Sequence, residues 1–147
     1  RGMGGSPTPV SYGELYTALQ QGIVDAAENN PPSFYNSRHY EVCKYYSIDE
    51  HTAIPDVVLV STKVWSELSP EEQVWLQEAA DESAAYQTKL WKEAVEEALR
   101  EVQKAGVEIS YPSKEPFLEK VAAVYAQVFQ EQKQLEALVQ RIQQTNK

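Results

Sequence analysis

The chain has 147 residues, 42% of them hydrophobic and 24% charged, and 22 acidic against 13 basic side chains give a formal net charge of -9. This length fits one ordinary domain, and the hydrophobic fraction supports a packed core and excludes intrinsic disorder. The acidic balance argues against a nucleic-acid partner. No apolar run approaches the roughly 20 residues that cross a bilayer, so no membrane insertion is expected. The single cysteine, Cys43, excludes an internal disulfide and a cysteine-rich zinc site.

The first third of the chain alternates between helical and extended patterns. Ser11 with Glu14 three residues later forms a predicted capping box, and Gly22 ends the helix that follows. Apolar, β-branched and aromatic residues predict strands over 23–27 and 40–48, with a short helix over 33–37 between them.

Ile54 to Ser61 is the clearest predicted strand. Its run of four apolar residues, Val57–Val60, suits a strand that is covered on both faces, as in α/β proteins. A short helix is predicted to follow over 63–68.

The strongest local signal begins at Ser69, which is followed by Pro70, Glu71 and Glu72 and predicts a helix that continues to Gly106. About 35 residues at 1.5 Å each make a rod of roughly 50 Å, whereas a compact globule of this length is roughly 38 Å across. The apolar face of this helix therefore needs a cover from a second lobe, a partner chain or a coiled coil. A strand over 107–111 and helices from Lys114 onward complete the chain.

Familiar catalytic motifs are missing from the sequence. Gly2-Met3-Gly4 has Pro7 where a phosphate-binding loop needs its third glycine, and Gly5-Ser6-Pro7 lacks the second glycine of a nucleophile elbow. The two histidines form no His-Glu-x-x-His pattern. We therefore expect no catalytic residue, no metal and no cofactor.

The segment from Asp25 to Pro32 is the candidate site. It places Glu28, Asn29 and Asn30 at the carboxyl end of a predicted strand, where open α/β sheets bind their ligands. The alternative is an Asn-rich turn that only caps its own backbone. Tyr12 is likewise either a ligand contact or a helix-face aromatic, and His51 either a site residue or a structural histidine.

The run from Pro7 to Asp25, PTPVSYGELYTALQQGIVD, continues into Glu28-Asn29-Asn30-Pro31. It closely resembles the solute-binding proteins of tripartite ATP-independent periplasmic (TRAP) transporters, of the DctP type. Pro-x-Pro, Glu-Leu-Tyr-x-Ala-Leu-Gln-x-Gly and Val-Asp-x-x-Glu-Asn elements occur in the order and spacing of that family. The likeness continues through His51 and Leu68–Glu71 to Lys114–Phe117, so it covers nearly the whole chain.

The resemblance implies an α/β, periplasmic-binding-protein-like fold of two lobes, of which this chain corresponds to the carboxyl-terminal part. Residues 1–53 would then belong to the C-terminal ligand-binding lobe. Residues 54–68 would supply a crossing strand and short helix of the N-terminal lobe. Residues 69–106 would form the long helix across both lobes, and residues 107–147 the return strand and C-terminal helices.

The resemblance also implies roles for site residues. Tyr12 matches the aromatic position that packs on the ligand, Asn29 the amide that binds its carboxylate, and His51 a histidine lining the cleft. The family's main carboxylate clamp is an arginine from an upstream strand, expected before Arg1. The chain alone is therefore expected to bind ligand weakly or not at all.

The ligand class follows from the same comparison. The variant Glu28-Asn29-Asn30-Pro31-Pro32 resembles family members that take sugar acids such as hexuronates, and Glu28 and Asn30 add polar partners that a small dicarboxylate does not need. A C4-dicarboxylate or another small carboxylate is the alternative ligand.

The resemblance implies a periplasmic substrate-capture subunit that passes an organic acid to the membrane subunits of a transporter and catalyses no reaction. Two rivals remain at this stage. One is an enzyme that uses the carboxylates of Asp25 and Glu28, and the other is a helical interaction module built on residues 69–106. A homodimer through the uncovered long helix is a related expectation.

Overall fold

A computed structural model describes residues 2–52 and 54–145, with the backbone alone at residue 143. Two single turns of 3-10 helix, at Tyr12–Glu14 and His39–Glu41, precede the first strand. The helices and strands are α1 (Leu15–Gln20), α2 (Pro31–Asn36), β1 (Tyr45–Ser47), α3 (Thr62–Glu67), α4 (Pro70–Lys104), β2 (Glu108–Ser110), α5 (Glu115–Glu131) and α6 (Lys133–Thr145). The chain divides into two compact units: Ser11–Ser110, and the described residues of 1–10 with 111–147.

The unit Ser11–Ser110 is built on a parallel pair of strands. β1 and β2 pair with Tyr45 opposite Glu108 and Tyr46 opposite Ile109. Parallel neighbours need a crossover connection, which here runs through α3 and α4. The predicted α/β class and the strand predicted over 107–111 are thereby confirmed.

The core of this unit lies between α2, the end of α4 and the strands. Its buried members are Phe34, Val102 and Val107, and the rings of Tyr40 and Tyr46 are among the half-buried groups packed against them. Helix α2 therefore packs against the carboxyl-terminal part of α4, and this contact places the segment before α2 beside β1.

The long helix α4 begins where the sequence predicts. The Ser69 hydroxyl accepts from the Glu72 N–H at 3.3 Å, and the Glu72 carboxylate accepts from the Ser69 N–H at 2.7 Å, which completes a capping box. Pro70 occupies the first turn, where its missing N–H costs nothing. Gly106, with φ of 86°, follows the helix in the left-handed conformation that favours glycine.

The strand predicted over Ile54–Ser61 is wrong for the described structure. Residues 54–61 form no strand, and Val58 and Leu59 are 80% and 84% exposed. A strand needs a neighbour to receive its backbone hydrogen bonds, and β1 and β2 pair with each other. Within the described ranges, no other strand is available. The assignment of residues 54–68 to another lobe stays a prediction.

Three further local predictions need correction. Residues 23–27 form turns and irregular backbone instead of a strand, and the strand predicted over 40–48 shrinks to β1 because a 3-10 turn occupies His39–Glu41. The predicted capping box at Ser11 does not form, since the Ser11 hydroxyl donates to the Glu14 carboxylate at 2.6 Å and caps no backbone N–H.

The second unit contains α5 and α6, which contact each other and confirm the helices predicted after Lys114. On α5, the rings of Tyr125 and Phe129 lie 5.8 Å apart. None of the described helices is long and apolar enough to cross a membrane.

Candidate functional site

A groove of about 690 Å³ opens beside β1 in the unit Ser11–Ser110. Its volume lies in the range of small-molecule sites. The lining residues come from α1, the segment before α2, the segment that leads into β1, β1 itself and the loop that follows: Leu19, Asp25, Ala26, Ala27, Glu28, Asn29, Val42, Cys43, Lys44, Tyr45, Tyr46, Ser47, Asp49 and His51.

The segment before α2 is irregular, and its last residue is a helix cap. Asn30 accepts through Oδ1 from the Ser33 N–H at 2.9 Å, and Pro31 begins α2. Asn30 is therefore explained by capping, which is the turn alternative left open by the sequence. Asn29 accepts through Oδ1 from the Asn30 N–H at 2.9 Å, and its side-chain NH₂ has no acceptor among the described residues.

Tyr46 connects this segment to the core. Its hydroxyl donates to the backbone carbonyl of Asn29 at 2.7 Å, and its ring stacks on Phe34 with centroids 4.6 Å apart. Burial, followed by the negative charges of Asp49 and Glu28, raises the pKa of Tyr46 to about 12. The hydroxyl therefore stays protonated and remains a donor throughout the neutral range. Sequence reasoning gave this residue no role; its place in a predicted strand was the available signal.

His51 lies between two carboxylates on the groove wall. Its Nδ1 is 2.8 Å from Oδ1 of Asp49, and its Nε2 is 3.6 Å from Oε2 of Glu28. The side-chain hydrogen bond from His51 is the main cause that lowers the pKa of Asp49. Asp49 was not singled out in the sequence, although it lies only two positions before His51, a candidate site residue.

The charges lining the groove are mainly acidic. Asp25, Glu28 and Asp49 are carboxylates, and Lys44 is the one Lys or Arg among the described lining residues. The Lys44 ammonium donates to the Tyr40 carbonyl at 3.1 Å. Such a surface offers many acceptors for hydroxyl groups and few cationic partners for an anion.

Tyr12 lies outside the lining of the groove. Its hydroxyl hydrogen-bonds with that of Ser37, and its ring meets the buried ring of His39 edge-on at 6.0 Å. Burial lowers the pKa of His39. The structure thus brings Glu28, Asn29 and His51 together around the groove, whereas Tyr12 and Asn30 are not among its lining residues. Across the described ranges, no group of three or more His, Cys, Asp or Glu side chains could hold a metal ion.

Comparison with known proteins identifies the class. Residues 1–132 match the family model described as bacterial extracellular solute-binding protein, family 7 (DctP). The chain therefore belongs to this family, and the resemblance seen in its sequence is confirmed. A relative from Chromohalobacter salexigens, named as a solute-binding protein, is 42% identical over 142 residues, which are 96% of this chain and 42% of the relative.

Solved structures confirm the periplasmic-binding-protein-like fold. A TRAP periplasmic solute-binding protein from Chromohalobacter salexigens with bound D-glucuronate matches with a TM-score of 0.90 at 42% identity. One from a Bradyrhizobium species, in complex with D-galacturonate, matches with a TM-score of 0.81 at 44% identity. Each comparison covers 97% of this chain and 48% of the other, so the chain spans about half the length of these proteins.

Proposed function

We propose that this chain provides one part of the substrate-capture subunit of a TRAP transporter, and that its groove binds a hexuronate. The observation that carries the proposal is the polar wall of the groove, where Glu28, Asn29 and His51 meet around a volume of about 690 Å³. Support comes from relatives of known structure, which hold D-glucuronate and D-galacturonate.

The chemistry of a hexuronate suits this wall. Its ring hydroxyls are donors for the carboxylates of Glu28 and Asp49, and its single carboxylate is an acceptor for the Asn29 NH₂. In the tautomer that donates Nδ1–H to Asp49, Nε2 of the neighbouring His51 is an acceptor for a ligand hydroxyl. The roles that the family resemblance implies, Asn29 as the amide that binds the carboxylate and His51 as a histidine lining the cleft, are part of this proposal. Glu28 is proposed as an acceptor for ligand hydroxyls.

A small dicarboxylate is the less suitable ligand. It would bring two negative charges to a groove lined by three carboxylates and by Lys44 as the one Lys or Arg among the described lining residues. Like charges close together disfavour binding unless cations compensate them. The hydroxyl-rich monoacid requires compensation for one charge only.

Capture is proposed to occur in the periplasm by hinge closure, with ligand contacts favouring a closed state that the membrane subunits recognise. No bond of the ligand is made or broken in this account, and no cofactor takes part. The division of the chain at residues 53, 68 and 106 belongs to this proposal.

A thermal-shift panel on a complete protein, in which this chain is joined to the rest of the family's length, tests the ligand class. D-glucuronate and D-galacturonate are expected to raise the midpoint more than succinate does. A ligand concentration about tenfold above the Kd raises the free energy of unfolding by about 1.4 kcal/mol. Glu28→Gln should reduce the shift, whereas Glu97→Gln, an exposed change on α4, should leave it unchanged. Stabilisation by succinate without stabilisation by uronates would contradict the proposal.

The proposal for assembly is a homodimer through α4. Residues 70–93, all of them described, include no buried side chain, and Trp75 and Tyr86 are 58% and 64% exposed. Exposed apolar surface of this kind is typical of protein contacts. Sedimentation velocity at about 100 μM should show a dimer that Trp75→Lys dissociates, and a monomer at that concentration would rule the homodimer out.

A further inference from the structure

Two contacts fix the position of Tyr46 in addition to the hydrogen bond of its hydroxyl. Its backbone lies in the middle of β1, opposite Ile109 of β2, and its ring stacks nearly parallel on Phe34 at an angle of 6°. The ring is thus fixed by a strand pair and by a buried helix residue. A hydroxyl on so constrained a ring has a defined position.

The partner of that hydroxyl belongs to the least regular part of the groove. Residues 26–30 lie in no helix or strand. The Tyr46 hydroxyl reaches the Asn29 carbonyl at 2.7 Å, across 17 positions of sequence. This bond ties the peptide group of Asn29 to β1, one residue before the cap of α2 at Asn30.

We infer that Tyr46 is a positioning residue, which acts through its hydrogen bond to the Asn29 carbonyl and presents the Asn29 amide to the carboxylate of a sugar acid. The inference rests on the proposed function for its ligand. Holding a binding group in place before the ligand arrives lowers the entropy cost of binding. Tyr46 also lines the groove, so loss of its hydroxyl acts at the site itself.

The first test needs no ligand. Tyr46→Phe keeps the ring and its stacking and removes only the hydroxyl. We expect the backbone and side-chain NMR signals of Asn29 to shift and their amides to exchange faster, while the signals of β2 stay in place. Tyr16→Phe is the matched control, because the Tyr16 hydroxyl donates to Glu41 at 3.0 Å away from the groove. Unchanged Asn29 signals in Tyr46→Phe would overturn the inference.

The second test is a double-mutant cycle for D-glucuronate affinity. Loss of one hydrogen bond of ordinary strength predicts about fivefold weaker binding for Tyr46→Phe. In the Asn29→Ala background the same change should have no further effect, because the positioned amide is gone. An equal weakening in both backgrounds would show a general structural role and overturn the inference. The cycle is measured in a protein that joins this chain to the rest of the family's length, because the chain alone is expected to bind ligand weakly or not at all. Absence of glucuronate binding in every variant of that protein would refute the proposed function, and the ligand-free arm would still decide the role of Tyr46.

Discussion

Nδ1 of His51 lies 2.8 Å from Oδ1 of Asp49, and this contact favours the charged form of the Asp49 carboxyl. The hydrogen bond lowers the pKa of the Asp49 carboxyl below its ordinary value of 3.8. Asp49 therefore stays a carboxylate throughout the neutral pH range, and it remains an acceptor for hydroxyl groups.

Replacing His51 by Ala should raise the pKa of Asp49 toward 3.8, as measured by NMR titration of its carboxyl carbon. A carboxyl whose pKa is depressed in the folded state stabilises the fold above its unfolded pKa, and that contribution is lost as the pH falls through the folded value. The stability difference between the wild-type chain and His51→Ala should therefore narrow below about pH 4.

Glu28→Gln provides the control for this titration. It removes the weaker contact of His51, at 3.6 Å, and keeps the contact with Asp49. The pKa of Asp49 should then stay depressed. An Asp49 pKa that is the same in His51→Ala as in the wild-type chain would contradict the assigned cause.

Removing the cap of α4 should cost measurable stability. Ser69→Ala abolishes the acceptor of the Glu72 N–H, and such a substitution at an N-cap typically costs about 1 kcal/mol. Urea unfolding should show the lower free energy of unfolding, and amide exchange at residues 71–73 should become faster. Ser11→Ala is the matched control, because the Ser11 side chain caps no backbone group. Equal effects of the two substitutions would contradict the capping account.

The most accurately predicted element, α4, is one whose signals are local. Ser69, Pro70 and Gly106 each act on backbone within one turn of their own position. The start and end of α4 can therefore be predicted from the neighbouring sequence alone. The strand expected over 54–61 depends instead on a neighbour, and within the described residues β1 and β2 pair only with each other. The apolar run 57–60 predicts burial, but Val58 and Leu59 are 80% and 84% exposed in the described structure.

The site was predictable to the extent that its residues are close in sequence. Glu28 and Asn29 stood out as one segment and do line the groove together. The contact of Tyr46 with Asn29 spans 17 positions and exists only because β1 packs beside the start of α2. Tyr12 was expected at the ligand, but its hydroxyl contacts Ser37 and its ring contacts His39. Its role on a ligand stays a prediction.

The core of the unit Ser11–Ser110 provides a further prediction. Val102 is 1% exposed and contacts the buried Phe34 cluster. Val102→Ala removes two buried methyl groups and should lower the free energy of unfolding by about 2 kcal/mol, including the cavity it leaves. Val58→Ala, at a position 80% exposed, should change it by less than about 0.5 kcal/mol. Urea unfolding measures the free energy of unfolding of both variants. Similar decreases in the two would contradict the placement of the core.

The most direct test of hexuronate binding is an amide NMR titration of the isotopically labelled chain with D-glucuronate up to about 50 mM, a range that captures even millimolar affinity. We expect the saturable shifts to be concentrated at Glu28, Asn29, Tyr46 and His51, with succinate producing weaker ones at the same ligand concentration. Signals of α5 should stay unmoved. Shifts that avoid the groove, or equal shifts with succinate, would contradict hexuronate binding at this site.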